Sequence, residues 1–498
     1  MERVLEEAKS TEQDFAADPV HDLRVALRRC RSMADGFRAI DPDPTWKAVK
    51  RAGGRVFRSL GDLRDVQVMR EWAQRLAPPE DSLQPWLDQA LAAREDALKR
   101  EAQVSLARLD HDQWRSWTEH LAARTARVRL DSPVFQYVAL ERWHEAYELH
   151  RRALRNRSQA AWHTLRVGIK RFRYTVENFL PERHELWGKD LKNLQDALGE
   201  VHDLDVLWEQ IRGHQIDTQS PEDRGSITRW RARIVEERGR RIAAYRQKMV
   251  GPASLWRAWR NDLPQGEKQH KALVARAQTL VTLSGASVTH ARHVMRLALQ
   301  MYDGLVRTGV FEPNASPSRN TLELAAMLQD VGRFRSKHGH HKRSCRMLGK
   351  MPAPLDWPVE SWDMVASLAR YHRGALPEAG HDEFAKIPAG QRKNFLHLAA
   401  VLRFANALDA GHTQSVRSIR VLRTPETVTL FADGHALDPE TAPDLAVAKF
   451  LLETTCGLPV VLRASPAAHS VGKANPANPN LVVMRSPKPP SRLSCAKR

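Results

Sequence analysis

Apolar residues recur every three or four positions through most of residues 1–260, in long Ala/Leu/Arg/Glu segments. This is the period of amphipathic helices. Breaks fall at the Pro-containing stretches 41–44, 77–79, 180–181 and 219–221. Residues 261–280 read as a polar linker, and helical periodicity returns over 281–415. The pattern then changes. VRSIRVLR and TVTLFA are strand-like runs around a turn at Pro425. DLAVAKFLLETTCG is helical up to Gly457, and PVVLRA is a further strand. Residues 416–464 thus form a small β-β-α-β unit. From Ser465 the chain is rich in Pro, Asn, Ser and Lys/Arg and reads as a disordered basic tail, 465–498. The expected fold is mainly α.

Within the first helical region a block repeats. HDLRVALRRCR at 21–31 returns as HTLRVGIKRFR at 163–173, and LGDLRDVQV at 60–68 returns as LGEVHDLDV at 198–206. Two ordered blocks at nearly one offset imply two related helical halves, about 1–130 and 131–260, neither able to bury its face alone. On a helix Leu23, Leu27, Cys30, Ala34 and Phe37 form an apolar stripe. Beside it run His21, Arg24, Arg28 and Arg31, and His163, Arg166, Lys170 and Arg173 repeat the row. Like charges stacked this way repel by a few tenths of a kcal/mol per pair, which is tolerable where a polyanion lies. Arg51, Arg55 and Arg58 make another basic face, and Lys189 and Lys192 add charge at the equivalent place in the second half. Asp65 and Asp203 follow Leu-Gly breaks and read as helix N-caps.

Charge sharpens this picture. The 498 residues carry a formal +19, but residues 1–250 hold only +5 of it and 251–498 hold +14. An anion site in the first half must therefore come from patterning. No run approaches the length of a membrane helix. The polar N-terminus has no apolar secretory core, and the four cysteines are too scattered for a disulfide framework or a zinc ribbon. Phosphate-binding loops and the GxSxG elbow are absent. The expectation is a cytoplasmic protein with an anionic partner and no membrane association.

H-x-L-R-V-x-x-[RK]-R-x-R followed by L-G-x-x-x-D-x-x-V, present twice, resembles the conserved histidine α-helical domain (CHAD) over about residues 1–260. The resemblance implies two pseudo-twofold-related four-helix bundles. It also implies a basic groove for inorganic polyphosphate and, in many relatives, a location at polyphosphate granules. Carried over, the groove uses His21, Arg24, Arg28, Arg31, His163, Arg166, Lys170 and Arg173. Arg29 and Arg171 match the motif but lie off the row, and Tyr174 matches a family aromatic. The ExExK motif of the triphosphate-tunnel enzymes that often precede such domains is absent. A groove for RNA would interleave stacking aromatics with its cations. These rows contain none apart from Tyr174, which favours a bare polyanion.

His290, Asp330, His341, His372 and Asp409 fall on successive helical segments, an order that suits a divalent-metal HD-type phosphohydrolase. The runs AAMLQDVG, GHHKRS, RYHR and LRFANALD make 281–464 resemble the HD-like and small β regions of the exopolyphosphatase/guanosine pentaphosphatase family. That family's sugar-kinase-like catalytic half is missing, so its activity is not implied. The His-Asp pair of a working HD site is replaced by Gln329-Asp330. The expectation is a polyphosphate-binding protein with a degenerate HD-like, phosphate-binding or regulatory region at 281–415. The alternatives are a metal-dependent HD phosphohydrolase acting on polyphosphate or a nucleotide polyphosphate, and an RNA-binding protein.

Overall fold

The computed structural model describes residues 1–217, 221–312, 318–334, 338–434 and 442–464. The tail expected at 465–498 lies outside the described residues. The N-terminal half begins with α1 (Glu2–Gln13), α2 (Ala17–Arg38), α3 (Thr45–Leu76), α4 (Gln84–Ala107) and α5 (His111–Thr125). The same succession follows as α6 (Pro133–Asn156), α7 (Gln159–Phe179), α8 (Pro181–Asp217), α9 (Pro221–Met249) and α10 (Leu255–Asp262). Each set is a four-helix bundle with a short fifth helix, and the halves meet where α2 packs on α7 and α3 on α8.

Sequence explains that meeting. The apolar stripe of α2 is buried, and so is its counterpart Leu165, Ile169, Phe172, Val176 and Phe179 on α7. At Gly36 the chains approach so closely that a Cβ would stand 2.2 Å from the Phe179 ring. Asn178 Nδ2 donates to Ser32 Oγ at 3.0 Å across the same seam. A second core, including Trp72, Leu204 and Trp230, joins the far ends of α3, α4, α8 and α9. The Leu-Gly steps break neither long helix. Gly61 and Gly199 lie inside α3 and α8, so Asp65 and Asp203 are mid-helix residues and not N-caps. Their side chains are free to face the groove.

The C-terminal half contains α11 (Gly266–Leu283), α12 (Val288–Arg307), α13 (Ser318–Leu328), α14 (His340–Leu348), α15 (Val359–Tyr371), the single turn α16 (Asp382–Ala385) and α17 (Arg392–Leu408). β1 (Ser418–Arg423) and β2 (Val428–Asp433) pair antiparallel, α18 (Ala442–Cys456) crosses over, and β3 (Val460–Ala464) joins β2 in parallel. The segment expected as a linker is mostly α11. Ala272, Leu273, Ala277, Leu280 and Val281 of this helix sit in the C-terminal core, while the helix also packs on α6. Arg276 binds Glu141 at 2.6 Å and the Ala39 carbonyl at 3.0 Å. Arg124 donates to Asp41 at 2.8 Å and to the Leu283 carbonyl at 2.7 Å.

Candidate functional sites

The first site grows from α2 and α7. With their apolar stripes buried together, the neighbouring rows are brought side by side. Arg24, Arg28, Arg31, Arg166, Lys170 and Arg173 are half-buried, and His21 and His163 stand exposed. Among the described residues no carboxylate lies within 4 Å of Arg24, Arg28, Arg31, Arg166 or Lys170. The Nε atoms of Arg28, Arg31, Arg166 and Arg173 are buried with no acceptor. The off-row arginines behave differently: Arg171 pairs with Glu145 at 2.6 Å and Arg29 with Glu177 at 3.7 Å. Arg173 also reaches Glu177, at 3.5 Å.

Aromatic rings set the guanidinium positions from below. Arg28 and Arg173 lie 5.4 and 5.6 Å from the Tyr174 ring centre, and Arg31 lies 4.7 Å from that of Phe57. A cavity of about 180 Å³ opens here, lined among others by Arg28, Arg31, Lys50, Arg142, Lys170 and Tyr174. Burial holds Arg24 and Arg31 below the usual arginine range. Burial and then Arg166 bring Lys170 down to about 8. Two carboxylates complete the groove floor. Asp203 is pushed up to about 6, chiefly by burial, against the pull of Arg166 and with a push from Asp65. Asp65 is raised by burial too, although Arg24, Arg166 and Lys170 oppose it. The protein atoms crowded around it account for that rise, although its side chain keeps access to solvent.

The outer basic positions divide. Arg55 leaves the groove and lines a separate cavity of about 440 Å³ with Arg100 and Arg108. Arg51 and Lys189 are exposed, and Lys192 pairs with Asp196 at 3.7 Å.

The second site lies among α12, α13, α14, α15 and α17. Asp330 Oδ1 is 2.9 Å from His340 Nε2 and 3.6 Å from His372 Nε2, and the two Nε2 atoms are 3.2 Å apart. All three residues are buried. His341, expected in this set, is replaced by its neighbour. One residue is a 100° turn on a helix, and α14 starts in such a phase that His340 points inward while His341 lies beside Gly374. His290 and Asp409 pair with each other at 2.7 Å, and His290 Nε2 stands 3.9 Å from Asp330 Oδ2. Arg333 reaches Asp330 at 3.3 Å and His412 stacks on His290 at 3.8 Å. The sequence pattern gave no role to Arg333, Asn406 or His412. Gln329, where an HD pair has histidine, donates Nε2–H to Asn406 Oδ1 at 3.0 Å and is fully buried.

Asp330, His340 and His372 can hold a divalent ion. His372 Nδ1 donates to the Ala369 carbonyl at 2.9 Å, which leaves its Nε2 lone pair facing Asp330. Burial lowers His372 to about 3, so its imidazole is neutral, as a ligand must be. Burial alone would raise Asp330. The hydrogen bond from His340 and the nearby His372 and Arg333 bring it well below the carboxylate range. Two nitrogens and a carboxylate oxygen suit zinc, manganese or iron and leave coordination positions open.

Comparison with known proteins matches a family to each of the two regions that contain these sites. No curated protein matches the chain. Residues 1–212 match the CHAD domain, whose match thus ends within α8, short of the end of the second repeat. Residues 276–441 match domain III of the Ppx/GppA phosphatases, a span that takes in every residue of the buried cluster. The chain thus joins a region that matches the CHAD domain to one that matches domain III of the Ppx/GppA phosphatases.

Proposed function

We propose that this protein binds inorganic polyphosphate along the groove between α2 and α7. One observation carries the reading: five cations from two equivalent helices converge without a carboxylate partner among the described residues. Guanidinium groups grip phosphate oxygens through paired, charge-assisted hydrogen bonds. A long flexible polyanion multiplies such contacts and releases counterions, so binding weakens steeply with salt. The tethered rings under Arg28, Arg31 and Arg173 are spent on the protein's own guanidiniums. This favours a bare phosphate chain over RNA, whose bases need free stacking faces.

The test is a titration with long-chain polyphosphate at moderate salt, with RNA as competitor. Tight binding that RNA does not displace supports the reading; indifference to polyphosphate refutes it. Localisation at polyphosphate granules is the cellular corollary, visible with a fluorescent fusion.

A second reading rests on Asp330, His340 and His372. It makes the C-terminal half a metal-dependent phosphohydrolase acting on polyphosphate or a nucleotide polyphosphate. A divalent ion held by these three residues would supply Lewis acidity and activate a water. Asp330 would neutralise part of its charge, the Ala369 carbonyl fixes His372 as a lone-pair donor, and Arg333, 3.3 Å from Asp330, would meet a phosphate oxygen bound beside it. Gln329 is bound into the Asn406 network and adds no ligand. Elemental analysis with a phosphate-release assay decides this reading. Absence of bound metal and of metal-stimulated release removes it and leaves a purely binding or regulatory domain.

A further inference from the structure

The two ends of the groove are equivalent in the repeat but not in chemistry. His21 and His163 occupy the same repeat position, as do Arg64 and His202. In the first half Arg64 lines a cavity with His21 and Arg24. Its outward partner is Glu71, at 3.1 Å. A permanent charge therefore stands at that end. In the second half His202 replaces it, and His163 Nδ1 and His202 Nδ1 are 3.3 Å apart with ring centres at 4.7 Å.

This imidazole pair sits in a field of fixed charges. Arg166 and Lys170 of α7 act on both rings. On α8, Asp205 faces His163 but is already held by Arg238 of α9 at 2.7 Å. Asp203 stands next to His202 in sequence, under the influence of Arg166, Lys170, Glu200 and Asp65 of α3. Glu200 is in turn bound by Arg241 of α9. Two imidazolium rings in contact beside two cations repel one another, so the free protein keeps the pair neutral. Laying a polyanion over it reverses that balance, because the phosphates stabilise the charged rings and disfavour the Asp203 carboxylate.

We propose that the second end of the groove is a proton-dependent grip: the His163–His202 pair, with Asp203, takes up protons as the polyanion binds, while at the first end Arg64 stands where His202 does and keeps its charge over the same range. The inference rests on the groove reading and deepens it. Imidazole charging and carboxylate neutralisation both favour binding as pH falls, and the internal phosphates of a long chain stay ionised throughout. Each proton taken up can steepen affinity by up to about tenfold per pH unit.

The experiment is calorimetric titration of the full chain with long-chain polyphosphate from about pH 8 to about pH 6, in buffers of differing ionisation enthalpy. The wild type is expected to bind roughly tenfold tighter at the acid end and to show net proton uptake. His202→Arg, which copies the first half, is expected to bind more tightly than the wild type at the alkaline end and to show a clearly shallower pH slope, since only His163 and Asp203 still titrate. His202→Asn is expected to lose most of the slope while keeping the weaker, alkaline-end affinity. This second variant guards against a folding defect in the first. NMR of the His163 and His202 ring protons, with and without polyphosphate, reads the charging directly. Binding without proton uptake, or a His202→Arg variant with the wild-type slope, overturns the coupling. No binding at any pH overturns the groove reading and the coupling with it.

Discussion

The two sites use the same residue types in opposite ways. In the groove, five half-buried cations line two helices with no ion-pair partner among the described residues, although Asp65 and Asp203 stand nearby. In the C-terminal cluster every charge is met: Asp330 by His340, His372 and Arg333, and Asp409 by His290. The first arrangement leaves like charges facing one another. The second closes its accounts within a few ångströms and has room for one small ion. Counting histidines or net charge would not separate them; the placement of carboxylates does.

The comparison breaks most easily at the groove. Arg24→Glu with Arg166→Glu is expected to lower long-chain polyphosphate affinity by more than about a hundredfold, since each reversal both removes a charge-assisted contact and adds repulsion. Circular dichroism should stay unchanged. Removing everything after Ala464 should leave most of the binding. If truncation alone abolishes it, the groove is not the site.

Asp330→Asn addresses the other side. It should eliminate specific retention of zinc or manganese by the purified chain, read by elemental analysis, and leave polyphosphate binding intact. His341→Asn should retain the metal. The reverse result would put His341 back in the ligand set.

Acid offers a smaller effect. His150 is buried on the N-terminal side, against the Tyr245 hydroxyl at 2.8 Å, and burial lowers it to about 4. Its folded value lies below its unfolded one. The stability it contributes is therefore complete above about pH 6.5 and lost as pH falls toward about 4, at about 1 kcal/mol per pH unit. Urea unfolding of wild type and His150→Asn over that range measures the difference, and parallel curves would contradict it. The smallest effect is expected from Arg29→Gln with Arg171→Gln. Both side chains are already paired with glutamates, so affinity should change less than about tenfold. A loss matching the Arg24/Arg166 reversal would mean that these pairs open when ligand arrives.

Much of this was legible in the sequence, for physical reasons. Helical periodicity and a repeated block fix which faces are apolar, so the buried stripes of α2 and α7 imply their basic neighbours. What was not legible depended on helix phase and length. Leu-Gly reads as a stop, yet α3 and α8 run through Gly61 and Gly199 because flanking residues such as Leu60, Leu63, Leu198 and Val201 are held in the cores. Packing thus outweighed the roughly 1 kcal/mol cost of a mid-helix glycine. His340 and His341 are adjacent, and only the start of α14, set by the left-handed Gly339, decides which one faces Asp330. Arg55 reads with Arg51 and Arg58 as a basic face, and its position on α3 turns it toward α4 and α5.

Helix α11 has a practical consequence for anyone dissecting the protein. It closes the C-terminal core with Ala277, Leu280 and Val281, and through Arg276 it ties Glu141 and the end of α2. The two halves therefore have no neutral cutting point between them. A fragment starting at 281 leaves its own core uncovered, and one ending at 280 carries an unmatched apolar face into solvent. Modularity in the order of domains along this chain does not extend to modularity in its folding.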